Sequence, residues 1–278
     1  MSRAVPLRLR SSIVLGLVTV IGLMMLGWPL LLRADPANPR VDPPFLFLLL
    51  LPLLLAVVLA ELSEGGMDSR VLAILGVLSA VNAVLRGFSA GTAGLELVFF
   101  LLILGGRVFG AGFGFLLGCT SLLASALLTA GVGPWLPFQM LVAGWVGLGA
   151  GLLPRRVTGR REIALLVAYG VLAAYLYGLL MNLWGWPFIA GIQAAGHDGT
   201  DLAYVPGGPL GENLHRFLVY TLLTSTGGWD SGRAITNALA LAILGPAVLT
   251  TLRRAARKAR VERKARVERV EPLEPDPI

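Results

Sequence analysis

Three groups of residues in this chain are of the types that carry chemistry. The first lies between Gly185 and Arg233 and holds His197, Asp198, Asp201, Glu212, His215 and Asp230. Carboxylates and imidazoles act as general acids, general bases or metal ligands when a fold converges them. Here the two histidines show no ligand spacing, which reads as solvated loop residues. The second group is polar and aromatic: Arg86, Trp135, Gln139, Asn182, Trp184, Trp186, Trp229, Asp230, Arg233 and Asn237. Aromatic faces stack a flat ring, while amide and guanidinium groups fix its polar edge, so the group predicts a small-molecule site. Its structural alternative is an interfacial aromatic belt. The third is Gly87-Phe-Ser-Ala-Gly91, a match to G-x-S-x-G. That nucleophile elbow needs a strand before it and a helix after it, with His and acid downstream. At the end of an apolar run the match reads as chance. No G-x-x-x-x-G-K-[ST] and no H-E-x-x-H occurs, and the single cysteine, Cys119, permits no disulfide framework and no Cys/His zinc spacing. The expectation is therefore no catalytic residue, no metal site and no cofactor.

The elements that must position these residues are membrane spans. Of 278 residues, 56% are apolar, and a further 35 are Gly. Charged residues are 14%, against about 25% in soluble domains. So few charges cannot cover a soluble surface, and so much hydrophobicity excludes a disordered chain. Long apolar runs predict an all-α polytopic membrane bundle of about eight spans, near 12–32, 44–62, 70–88, 92–105, 107–130, 135–153, 162–184 and 234–252. The fourth is short for a bilayer of about 30 Å and is expected to be tilted, broken or internal. The first is too bulky at its end to read as a cleavable signal peptide.

Charge placement orients the bundle. The net charge is +7, but nine Lys/Arg cluster between Arg253 and Arg269, after the last apolar run. This is the pattern of a cytoplasmic anchor on anionic lipid and not of a nucleic-acid arm. With both termini inside, 18 of the 23 Lys/Arg face the cytoplasm and five face outward. The connection 185–233 then lies outside, with turn chemistry at Val205-Pro-Gly-Gly-Pro209 and an apolar stretch, Asn213–Thr226, expected as an interfacial or re-entrant helix. The implied organisation is an N-terminal helix pair (1–69), a core (70–252) and a basic, then Pro-rich tail (253–278).

Glycine spacing predicts close helix packing. Gly106, Gly110, Gly114 and Gly118 recur every four residues, and Ala143, Gly147 and Gly151 repeat the device one span later. On one helix face such rows allow backbone-to-backbone approach. The third span carries a second small-residue stripe, Ala73, Gly76, Ala80 and Ala83, the better candidate for docking a partner membrane protein.

The stretch Leu97-Val-Phe-Phe-Leu-Leu-Ile-Leu-Gly-Gly-Arg-Val-Phe-Gly110, the glycine-rich 111–118, Gly133-Pro-Trp-Leu-Pro-Phe-Gln-Met140 and Ala143–Pro154 resemble the substrate-binding membrane subunit, the S component, of energy-coupling factor vitamin transporters. Gly227-Gly-Trp-Asp-Ser-Gly-Arg-Ala-Ile-Thr-Asn237 resembles the entry to that family's final helix. The resemblance spans about 70–252. It implies capture of a vitamin or related micronutrient at the outer face of a bacterial cell membrane. It also implies docking, through Ala73, Gly76, Ala80 and Ala83, on a transmembrane coupling protein driven by two cytoplasmic ATPases. The two spans before the core depart from the family pattern. The large outer loop suits a bulky, cobalamin-like ligand. Rival readings are an integral membrane enzyme using Asp198, Asp201, His215 or Asp230, and a structural or assembly protein.

Overall fold

The computed structural model describes residues 9–31, scattered positions between 50 and 58, 69–89, 94–188 and 202–270. Most of the second span, the loop residues His197, Asp198 and Asp201, and the Pro-rich terminus lie outside the described residues. Among the described residues every regular element is helical. They are α1 (Leu9–Leu26), α2 (Trp28–Leu31), α3 (Ser69–Ser89), α4 (Val98–Phe109), α5 (Ala111–Leu128), α6 (Leu136–Leu152) and α7 (Arg160–Gly185), which ends in a 3-10 turn, Trp186–Phe188. Then α8 (Leu210–Thr221) widens into a π-helical segment, Leu222–Asp230, and continues as α9 (Ser231–Ile243) and α10 (Gly245–Val270).

Three helical stretches are long and apolar enough to cross a membrane: Ser69–Gly87, Ala111–Leu128 and Arg160–Phe188. The run Leu210–Ile243 with Gly245–Ala259, bent by 65°, makes a fourth if taken as one span. Ser12–Leu26, Val98–Phe109 and Leu136–Leu152 are shorter apolar helices. The chain is thus a helical membrane bundle, with fewer full-length spans among the described residues than the eight drawn from hydropathy.

One glycine row differs from its expected form. Gly106, Gly110, Gly114 and Gly118 do not share one helix. Gly110 sits at φ 115°, a conformation that L side chains rarely adopt, and it breaks the run into α4 and α5. The two fold back on each other, with the Phe109 and Phe113 rings stacked at 4.5 Å beside the corner. Both limbs then meet α6. A Cβ on Gly118 would lie 2.5 Å from the Ala143 carbonyl carbon, and one on Gly147 2.5 Å from the Gly114 carbonyl carbon. These approaches are backbone to backbone, so the rows serve internal packing.

A polar seam joins α3 to α5. Ser79 and Thr120 hydroxyls pair at 2.7 Å, Asn82 Nδ2 donates to Ser121 Oγ at 3.1 Å, and Arg86 donates to Ser125 Oγ at 3.1 Å. Residues 79, 82 and 86 follow helical spacing, so this face of α3 is fixed to the bundle. In lipid, each such bond adds roughly 0.6 kcal/mol. A second face, roughly a third of a turn round the helix, carries exposed Ala73, Gly76 and Ala80, and nothing lies within 4 Å of a Cβ built on Gly76. Ala83 is buried with the seam and does not belong to that stripe.

The bundle has two ends. At the tail end, buried Arg107 donates to Glu162 at 2.7 Å and to the carbonyls of Leu153, Pro154 and Val157. Arg253 of α10 donates to both Glu162 oxygens, at 2.6 and 2.8 Å. One carboxylate thus ties α4, α7, α10 and the turn after α6. The other end carries the connection between α7 and α8 and is called the loop end below.

Candidate functional site

At the loop end the chain concentrates polar groups that a lipid environment penalises, so each must find a partner. Glu96, in the turn before α4, accepts from Arg233 Nε at 2.7 Å and lies 3.8 Å from Arg86 Nε. Arg233, in the first turn of α9, also donates to Asp230 Oδ1 at 3.0 Å. Its guanidinium carbon stands 4.9 Å from the centre of the Tyr177 ring and 5.8 Å from that of Phe99. Arg86 donates its remaining nitrogen to Gln139 Oε1 at 3.1 Å. Two arginines and two carboxylates therefore balance. The anticipated Arg86–Glu96 pairing is present, but Arg233 makes the shorter contact with that carboxylate.

The π-helical segment explains how Asp230 enters the cluster. In a π-helix, residues five apart replace residues four apart as hydrogen-bonded neighbours. Ser225 and Asp230 are five apart, and Ser225 Oγ donates to Asp230 Oδ2 at 2.8 Å. Ser231 Oγ caps a carbonyl freed by the widening, that of Thr226, at 2.6 Å. Facing Asp230 across the helix interface is Gly178 of α7. A Cβ there would come within 3.0 Å of the whole carboxylate, so only glycine leaves the niche open.

Beside this cluster lies a cavity of ≈ 290 Å³. Its walls are Tyr177, Gly178, Met181 and Asn182 from α7, Tyr220 from α8, Thr224, Ser225, Trp229 and Asp230 from the π-helical segment, and Arg233 from α9. Asn182 Nδ2 is buried without a hydrogen-bond partner. Such a donor is costly to leave unmade, by about 1–3 kcal/mol. Among the described residues with an atom in this state, Asn182 is the one that lines the cavity. The arrangement offers aromatic walls, a lining asparagine whose buried amide nitrogen lacks a partner, and a neutral set of charges, suited to binding and orienting a molecule.

A model of the family described as ECF transporter, substrate-specific component, matches residues 70–256. The chain belongs to this family. No curated protein and no solved structure gives a significant match. S components are helical membrane subunits of transporters, not enzymes; they work with an energy-coupling module and take small-molecule substrates.

Within this S component, four of the ten residues singled out from sequence line the cavity: Asn182, Trp229, Asp230 and Arg233. The other six serve elsewhere. Arg86 and Gln139 bond to each other one layer away. Asn237 is fully buried and donates to the Glu96 carbonyl at 2.6 Å, holding the turn that presents that carboxylate. Trp184 packs in the core against Phe138 and Phe188, at 5.1 and 5.6 Å. Trp186 is fully buried in a separate cluster with Leu202, Tyr204, Phe217 and Tyr220. Trp135 is exposed, as a belt residue would be. In the same loop-end cluster, burial raises the Tyr204 phenol above its ordinary pKa.

Nothing in the sequence marks Tyr177, Gly178 and Tyr220 as site residues, whereas Asp230 belongs to the polar and aromatic group and also reads as a possible acid. The boundary of the connection also shifts. Helix begins at Leu210, near the start of the stretch Asn213–Thr226 expected as a separate interfacial or re-entrant helix, and runs through Gly227-Gly228 into α9 without the expected break before 234. Those glycines, which read as loop, fall inside the π-helical segment. His215 is exposed on α8 and outside the cavity walls. Gly87 and Ser89 close α3, so a helix stands where the nucleophile elbow would need a strand.

Proposed function

We propose that this S component captures one compact, vitamin-class molecule in the loop-end cavity. Docked on a transmembrane coupling protein with two cytoplasmic ATPases, it then delivers that molecule across a bacterial plasma membrane. The carrying observation is the unpartnered Asn182 amide inside an aromatic-walled cavity. An amide N–H donor selects a ligand with an exposed carbonyl, carboxylate or ring-nitrogen acceptor. The paired state of Arg86, Glu96, Asp230 and Arg233 leaves no surplus charge, which favours an uncharged or zwitterionic ligand over a polyanion. A volume of ≈ 290 Å³ lies at the lower edge of the roughly 300–1,000 Å³ of small-molecule pockets. It supports a compact ligand in preference to a cobalamin-like one.

The topology follows the charge. With 18 of the 23 Lys/Arg on the tail side, the loop end faces outward and both termini face the cytoplasm. Ala73, Gly76 and Ala80 form the docking stripe of α3, because their face is exposed and free of bulk. α1 packs on α6 and α7 and leaves that stripe open. The test is a binding experiment on full-length protein in nanodiscs, incubated with a metabolite extract and washed. Mass spectrometry should find one compact compound retained by the wild type and absent from Thr224→Trp, which fills the cavity. Retention of the same compound by both would move the site elsewhere.

A further inference from the structure

α1 and α2 lie outside residues 70–256, and packing against the bundle gives them a specific place. Trp145 of α6 donates its indole N–H to Thr19 Oγ1 at 3.1 Å. Gly22 lies directly under the Leu141 side chain, so α1 sits flush on α6. This seat brings α2 to the loop end, where it touches α7 and α8.

There the buried Trp28 ring stands 5.8 Å from Phe188 and 6.4 Å from Tyr204. Tyr204 continues to Trp186 at 5.3 Å, and Trp186 to Phe217 of α8 at 5.5 Å. Three hydrogen bonds reinforce this cap. Trp186 donates to the Leu202 carbonyl at 2.7 Å, and Asn213 exchanges hydrogen bonds with the Val205 backbone at 3.0 and 2.9 Å. Phe217 and Tyr220 are one helical turn apart on α8, and Tyr220 is a cavity wall. A line of aromatic contacts therefore runs from α2 to Phe217, and Tyr220 of the same buried cluster carries it to the cavity wall.

We propose that Trp28 is a positioning residue: through Tyr204 and Trp186 it holds α8 so that Tyr220 closes the cavity. The extra N-terminal helix is then a built-in clamp on the site and not an appendage. Its meaning for transport rests on the cavity being the substrate site, but the clamp itself is testable without any substrate.

The test uses the full chain with a Thr224→Cys reporter in the cavity wall and a sulfonated maleimide as probe. The native Cys119 is fully buried and serves as an internal control. Trp28→Ala should speed labelling of the reporter about tenfold, the loss expected from two ring contacts of ordinary strength. Trp28→Phe should restore most of the protection, and Cys119 should stay silent throughout. Tyr204→Leu cuts the same line from the other side and should reproduce the tenfold rise, which keeps the test open should Trp28→Ala fail to fold. Equal reporter rates in wild type, Trp28→Ala and Tyr204→Leu would overturn the proposal. So would a parallel rise at Cys119, which would mark general loosening. Failure to find a bound compound would count against the cavity as a substrate site and leave these rates as they are.

Discussion

Gly178→Ala is the smallest change that should dismantle the loop-end cluster. The new methyl would fall within 3.0 Å of the Asp230 carboxylate, where ordinary contact begins at 3.4 Å. The neighbour is charged and buried, 1% exposed, and bonds to Ser225 and Arg233 hold both of its oxygens in place. Moving it lengthens the 3.0 Å bond from Arg233 and the 2.8 Å bond from Ser225 together. Breaking a buried charge pair costs about 3–5 kcal/mol. Ala is a better helix former than Gly by about 1 kcal/mol, which works the other way. The net loss is about 2–4 kcal/mol, read as a fall in unfolding temperature of purified protein. Asp230→Ala removes the object of the clash, so the double variant should be no less stable than Asp230→Ala alone. This non-additivity is the signature of a direct contact. A Gly178→Ala protein within about 0.5 kcal/mol of wild type, or a strictly additive double variant, would refute the niche.

Three further outcomes follow from particular contacts. Gly147→Ala sets a methyl against the Gly114 backbone, which cannot yield as a side chain can, and should cost about 1–3 kcal/mol or more, whereas Gly76→Ala meets nothing within 4 Å and should be neutral in the same melt. Glu162→Ala leaves Arg107 buried without its counter-charge and should cost about 3–5 kcal/mol, while Arg253→Ala, at a side chain 35% exposed, should cost under about 1 kcal/mol. Ala80→Leu should spare the unfolding temperature but weaken co-purification with the coupling protein; unchanged co-purification would remove α3 from the docking interface.

Much of the fold is written locally and was legible for that reason. Composition and apolar runs give a helical membrane bundle, and the small residues at 114, 118, 143, 147 and 151 announce a close helix crossing. The corner at Gly110 was not legible. Four-residue glycine spacing is the same whether the helix continues or reverses, and only the backbone conformation separates the two. Asn182 was recoverable, because a lone amide in an apolar run needs a partner. Gly178 was not, since its role is to be absent from the space taken by a carboxylate 52 positions later. The six residues outside the cavity bond or pack elsewhere at the loop end, and hydropathy places a residue along a span without saying which face of it turns to the cavity. The π-helical segment hid for a related reason. Gly227-Gly228 signals a turn in most sequences, and here the flanking Ser225, Asp230 and Ser231 bonds keep the chain helical.

The central claim is that a small acceptor-bearing molecule sits against Asn182 in the loop-end cavity. Calorimetric titration of the retained compound into wild type, Asn182→Ala and Trp135→Ala tests it most directly. One site per chain is expected in the wild type. Asn182→Ala should bind roughly 5- to 150-fold more weakly, from the 1–3 kcal/mol of a lost buried bond. Trp135→Ala, at an exposed ring outside the cavity, should match the wild type. Equal affinity in wild type and Asn182→Ala, or a loss confined to Trp135→Ala, would contradict the account.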